Sequence, residues 1–190
     1  MEILNHFSNV FEYPNQAFFE DLHHASTELK RENKKAYECF EKFEKNLKTL
    51  PLLEVQEIYT RSFDIQALTT LDIGYVLFGD DYKRGALLVN MNREYQKYNL
   101  KTGTELSDHL SNVLRWMAVC QDEALLEEFK KEILLPALSQ IISDFDTKRI
   151  QKKNELYQKH YKTVLDLELQ KVTSYGEALK ALKEVFLEAA

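Results

Sequence analysis

Apolar side chains recur at intervals of three and four along most of this chain. Ile3, Phe7, Val10 and Phe11 predict a first short helix over residues 3–12, after which Pro14 turns the chain. Phe18, Phe19 and Leu22 open the inward face of a second helix. The polar run from Arg31 to Lys35 is either an exposed helical turn or a short connection, so the second and third helices are expected to be continuous or briefly broken. Tyr37, Phe40, Phe43 and Leu47 then resume the stripe. Pro51 suits the first turn of a helix reaching about residue 63, with Leu52, Val55, Tyr59 and Phe63 on one side.

The pattern continues with a short apolar helix over residues 71–78, closed by Gly79, and a longer one to about residue 98 whose start is marked by acids. Leu106, Leu110, Val113, Leu114 and Met117 are spaced as one buried face, with Trp116 just off it. From Asp122 onwards Leu126, Phe129, Ile133, Ala137 and Ile141 share a face, and Pro136 inside that pattern predicts a kink. A mostly polar helix bearing Tyr157, Tyr161 and Val164 follows, and a last one from about Ser174 bears Leu179, Leu182 and Phe186.

Composition strengthens this reading. Five Gly and three Pro in 190 residues leave little material for hairpins or linkers, and good helix formers fill the rest. The expectation is an all-α, single-domain helical bundle over residues 1–190. A net charge of −6 argues against a phosphate-bound nucleic-acid partner, which needs clustered Lys and Arg. No run approaches the ~20 apolar residues of a membrane helix, and the first residues lack the basic and apolar regions of a secretory signal. No stable membrane insertion and a cytoplasmic location are expected. Cys39 and Cys120 stand far apart without CxxC or His-rich company, so they read as buried free thiols.

Catalytic and metal motifs are weak. His23 and His24 are adjacent, so on a helix they diverge by about 100° and do not form an i, i+4 metal pair. Asp144 and Asp146 lack the glycine and later glutamate of a calcium loop and read as a solvated helix end. No GxSxG, HExxH or glycine-rich phosphate loop occurs. Asp108 and His109 could orient an imidazole for acid–base work, but no nucleophile is placed beside them by sequence.

Recognition chemistry is better represented. Between Phe63 and Gly85 aromatic and apolar residues alternate with Asp64, Asp72, Asp80 and Asp81, a composition suited to gripping an apolar, basic peptide. The expected anchors are Tyr59, Phe63, Tyr75 and Phe78. The expected charges are Asp64, Asp80, Glu105 and Asp108, with His109 beside the last. Capping of a helix start is the competing role for Glu105, Asp108 and His109, and core packing is the competing role for Tyr75, Phe78 and Tyr82. Arg84 stands four positions after Asp80, so an i, i+4 ion pair is the first expectation. The second is a bridge to Asp80 or Asp108, in which case Arg84→Ala would lower affinity with little change in melting temperature.

The fragments FEYPNQAFF at Phe11–Phe19, YTRSFD at Tyr59–Asp64, LFGDDYKRG at Leu77–Gly85, EYQKYNL at Glu94–Leu100 and ELSDHL at Glu105–Leu110 give the chain a specific likeness. It resembles the NarJ-like delta-subunit chaperones of respiratory nitrate reductases, within the wider TorD-like molybdoenzyme chaperones. Ser107 and Ser111 stand where that family's pattern carries prolines. The resemblance implies an all-helical, cytoplasmic, cofactor-free assembly factor. Its partner would be the immature catalytic subunit of a molybdoenzyme, including its N-terminal peptide, held until the molybdenum cofactor is inserted. Two other classes stay open: a permanent helical interaction subunit of an oxidoreductase complex, and a helical enzyme using Asp108 and His109.

Overall fold

The computed structural model describes residues 2–65, 67–150, 171 and 173–188. Helix starts follow side-chain chemistry that the sequence carries locally. Asn33 separates α2 (Phe18–Glu32) from α3 (Lys34–Leu47): its extended backbone ends one helix while its side chain accepts the Ala36 N–H at 2.8 Å to begin the next. The two helices are therefore distinct. Asp81 caps α6 (Tyr82–Lys97) through the Lys83 N–H, and Asp122 caps α8 (Glu123–Phe129) through the Leu125 N–H. Pro51 directly precedes α4 (Leu52–Phe63). Gly79 ends α5 (Ile73–Phe78) at φ 58°, a conformation open to glycine and costly for other residues.

Pro136 does not break its helix in the middle. A π-helical turn, Lys130–Leu134, joins α8 to α9 (Leu135–Asp144), and the proline falls in the first turn of α9, where its missing N–H is tolerated. The proline that marked a kink in the sequence is thus accompanied by a local change of helical register just before it.

The first helix, α1 (Glu2–Val10), lies against α2 and against α7 (Leu110–Val119); α2 packs on α3. The last described helix, α10 (Ser174–Glu188), closes the bundle on α3 and α9. On the other side α5 sits against α6, α9 and the π-turn. One contiguous apolar core runs through all of this, with Phe7, Phe11, Phe40, Phe43, Trp116 and Tyr175 sealed from solvent. Each such aromatic contributes roughly 1.5–3 kcal/mol by leaving water, which makes this core the dominant favourable term. The predicted helix with Tyr157, Tyr161 and Val164 lies outside the described residues.

The fold is all-α, as expected. Among the described residues no helix is long and apolar enough to cross a membrane. Two inward assignments shift. Leu106 precedes α7 and is exposed, because the helix begins only at Leu110; Trp116 is fully buried, because α7 is enclosed on more than one side. Cys39 and Cys120 are free thiols, each half-buried.

Candidate functional site

Two short connections meet at the centre of the region of interest. The backbone of Ile73 donates to Asp108 O at 3.0 Å and that of Leu110 donates to Leu71 O at 2.9 Å, an isolated antiparallel bridge that places Asp72 opposite His109. Arg84, in the first turn of α6, fills the space between the two carboxylates. Its Nε donates to Asp108 Oδ2 at 2.8 Å, and its Nη2 donates to Asp72 Oδ2 at 2.9 Å and to Asp108 Oδ1 at 3.3 Å. The Asp108 side chain has no solvent exposure, against 17% for Arg84 and 25% for Asp72. A fixed guanidinium fork suits this two-carboxylate geometry.

Gly74 makes the close approach possible. A Cβ there would stand 2.7 Å from Asp108 Oδ2 and 2.9 Å from Leu87 Cδ2, so any side chain would push α5 off the clamp. Burial and the neighbouring Asp108 charge raise the Asp72 pKa, with Arg84 pulling the other way. Hydrogen bonding to Asp108 raises the Arg84 pKa further above its ordinary value.

The segment before α7 is anchored on all sides. Tyr95 Oη donates to Ser107 O at 2.6 Å, Ser107 Oγ donates to Leu88 O at 3.2 Å, and Asn112 Nδ2 donates to Leu106 O at 2.9 Å. His109 is the N-cap: its Nδ1 accepts the Ser111 N–H at 3.3 Å and lies 2.8 Å from Ser111 Oγ. Accepting at Nδ1 leaves the ring proton on Nε2. Burial depresses the His109 pKa, against the opposing pull of Glu105, Glu12 and Asp108.

Beside this clamp lies an open groove of about 640 Å³ between the end of α4, the following loop, α5 and α9. Phe63, Tyr75 and Val76 supply its apolar surface, Asp64 and Asp144 its acids, and Thr69, Thr70 and Gln140 its neutral polar groups. Tyr75 belongs to both features. It lines the groove, and the Arg84 guanidinium carbon lies 5.2 Å from its ring centre. The clamp therefore supports one wall of the groove from behind. Phe63 is backed by Tyr59, Phe145 and Tyr175 at ring separations of 5.2, 5.9 and 5.0 Å.

Of the residues singled out from the sequence, Phe63, Asp64 and Tyr75 meet in this groove. Gly79 lines it too, which places half-buried Phe78 and exposed Asp80 on either side of one lining residue. Glu105 is exposed on the loop before α7. Three expectations need correction. Tyr59 is 7% exposed, with its hydroxyl donating to Phe11 O at 3.1 Å, so it supports Phe63 from within the core. Asp108 and His109 are buried, one held by Arg84 and the other by Ser111, so neither presents its side chain to an incoming chain. The i, i+4 pair of Arg84 with Asp80 does not form; the alternative bridge to Asp108 does, with Asp72 as a further partner, because the side chain points inward from α6. Its removal leaves two carboxylates facing each other, which lowers stability as well as any effect on binding.

Sequence reasoning missed Gly74 and Asp144 and gave Asp72 only a diffuse role. A glycine inside a predicted apolar helix was the available signal for the first. Asp144 comes from a helix remote in sequence, and no local pattern ties it to Asp64. Among the described residues no group of three or more His, Cys, Asp or Glu side chains is arranged to hold a metal ion. A scan against protein-family models finds no match to this chain, and a search of curated proteins finds none either.

Proposed function

We propose that this chain is a chaperone that captures a segment of an immature molybdoenzyme catalytic subunit, of the nitrate reductase type, and keeps that subunit competent for cofactor insertion. The observation that carries the reading is the groove that brings the apolar side chains of Phe63, Tyr75 and Val76 together with the carboxylates of Asp64 and Asp144, the second of which also meets Arg149 at 3.3 Å. An amphipathic peptide lays its apolar side chains on the first three, and its basic positions meet the acids. The fragments shared with the NarJ-like pattern support the choice of client. Two of them, Tyr59–Asp64 and Leu77–Gly85, supply Phe63, Asp64 and Gly79 to the groove.

Apolar burial supplies affinity and the acids supply steering. Two or three anchors at roughly 1.5–3 kcal/mol each, less the cost of ordering the peptide, support micromolar binding. The deciding experiment compares the cofactor-free and cofactor-loaded client subunit, with the client's N-terminal peptide titrated by calorimetry. Selective binding of the cofactor-free form is expected, weakened at least tenfold by Phe63→Ala or Tyr75→Ala. Asp64→Asn with Asp144→Asn should flatten the salt dependence of association. Equal affinity for both client forms would sink the chaperone reading and favour a permanent subunit.

A further inference from the structure

Helix α6 carries apolar side chains on two opposite faces, the outer one ending in polar Arg93 and Gln96. Its inner face carries Met91 and Tyr95, each only 3% exposed, together with the clamp residue Arg84. At about 100° per residue, Tyr82, Gly85, Ala86, Val89 and Arg93 gather on the opposite side. All five are exposed, Tyr82 to 80% and Val89 to 51%. A helix with one stripe packed and a second one bare is suited to contact on both sides.

Gly85 sharpens the point. Glycine inside a helix is destabilising, yet a Cβ at this position would meet nothing within 4 Å, so no contact within the chain requires its absence. The open space beside it leaves room for a second backbone to approach closely from outside. The charges are also arranged along the helix: Asp80 stands just before its start, Arg93 near its end, and neither has a hydrogen-bond or ion-pair partner among the described residues.

Acid at the start, base at the end and a small-residue apolar stretch between them are self-complementary when the helix runs antiparallel to a copy of itself. The geometry points to a two-fold contact of α6 with α6 of a second copy of this chain. Ala86 then faces the partner's Val89, Gly85 lets the two backbones close, and Tyr82 meets the partner's Arg93 within reach of Asp80. One helix face is smaller than the roughly 1,200–2,000 Å² of a standard interface, so the dimer is a weak, reversible one with a dissociation constant of order 10–100 µM.

Sedimentation equilibrium on the full chain from about 5 to 500 µM tests this across the expected transition. The wild type should rise from its 22.4 kDa monomer mass toward twice that value. Val89→Glu should stay monomeric, and adding Ala86→Lys to the same chain should restore association, because position 86 faces the partner's position 89. Gly85→Gln, which blocks close approach without adding charge, should weaken association at least tenfold. Far-UV circular dichroism and melting should be unchanged by Val89→Glu, with or without Ala86→Lys, since these positions face solvent. Gly85→Gln should keep the fold and melt no lower than the wild type, since it replaces a helix glycine in open space. A wild type that stays monomeric throughout overturns the proposal, as does undiminished association of both Val89→Glu and Gly85→Gln. Loss of client binding by the α6 variants of a strictly monomeric protein would assign this face to the client instead.

Discussion

The contact of α3 with α10 and the junction of α5, α6 and α7 hold the same bundle together by opposite means. In the first, Phe40 meets Phe43 at 5.5 Å and Phe43 meets Tyr175 at 5.0 Å, ring against ring, in a region sealed from water. In the second, a guanidinium joins two carboxylates, and the connecting segments are fixed by hydrogen bonds to backbone oxygens. Apolar packing is non-directional and tolerates small shifts, whereas the ionic junction holds one geometry or loses most of its value. The groove lies where the two meet. Its Phe63 wall leans on the aromatic side and its Tyr75 wall on the ionic side.

The contrast breaks most visibly at its strongest points. Phe43→Ala removes a fully buried ring and should cost about 3–5 kcal/mol in urea unfolding, with the groove's Tyr75 wall intact. Arg84→Ala should cost about 2–4 kcal/mol, less because the site is partly exposed. The two differ in how they are rescued. Adding Asp72→Asn and Asp108→Asn should recover much of the Arg84→Ala loss, since the uncompensated charges are the damage; no second polar change should recover Phe43→Ala. Failure of that rescue would mean that Arg84 acts by packing alone. Gly74→Ala should cost about 1–3 kcal/mol for the same junction by steric pressure on Asp108.

The two regions also differed in how far they could be read from sequence. Phe40, Phe43 and Leu47 announce their burial through helical spacing alone, because a core helix needs only the right period. The ionic junction has no period. Asp72 and Asp108 come together through a bridge between two irregular segments, so helical spacing put Asp80 first as the partner of Arg84, left Asp108 as an alternative without a period to favour it, and gave no sign of Asp72. The same limit governs the groove. Phe63 and Asp64 are neighbours and Tyr75 lies close by in sequence, but Asp144 is brought in by α9. Leu106 misled because it keeps helical spacing with Leu110 while standing outside the helix.

A pH titration sharpens the ionic side. His109 is held neutral by burial, so its folded pKa lies below its ordinary value near 6.5. Above that ordinary value neither state binds the proton and the full stability is present. As pH falls below it the unfolded chain takes up the proton first, and stability drops until the folded pKa is passed, by up to about 1.4 kcal/mol per pH unit. His109→Asn keeps a side chain able to cap α7 and should remove this component. The difference between wild type and variant isolates it from the other histidines. Parallel pH curves would show that His109 does not titrate between the two states.

The smallest expected effects test the aromatic side through two hydroxyls that differ only in their partners. Tyr59 donates to Phe11 O at 3.1 Å, whereas the Tyr175 hydroxyl is fully buried with no hydrogen-bond partner among the described residues. Burial raises the pKa of both, so both stay protonated across the accessible pH range. Tyr59→Phe forfeits a hydrogen bond and leaves a buried carbonyl short of one donor, which should cost about 1 kcal/mol. Tyr175→Phe removes a group that lost its water without gaining a partner, so stability should rise by about 1 kcal/mol. Chemical denaturation of the matched pair reads opposite signs from the same atom deletion. A loss in both would mean that the Tyr175 hydroxyl finds an acceptor in solution, and the dry character assigned to the contact of α3 with α10 would have to be given up.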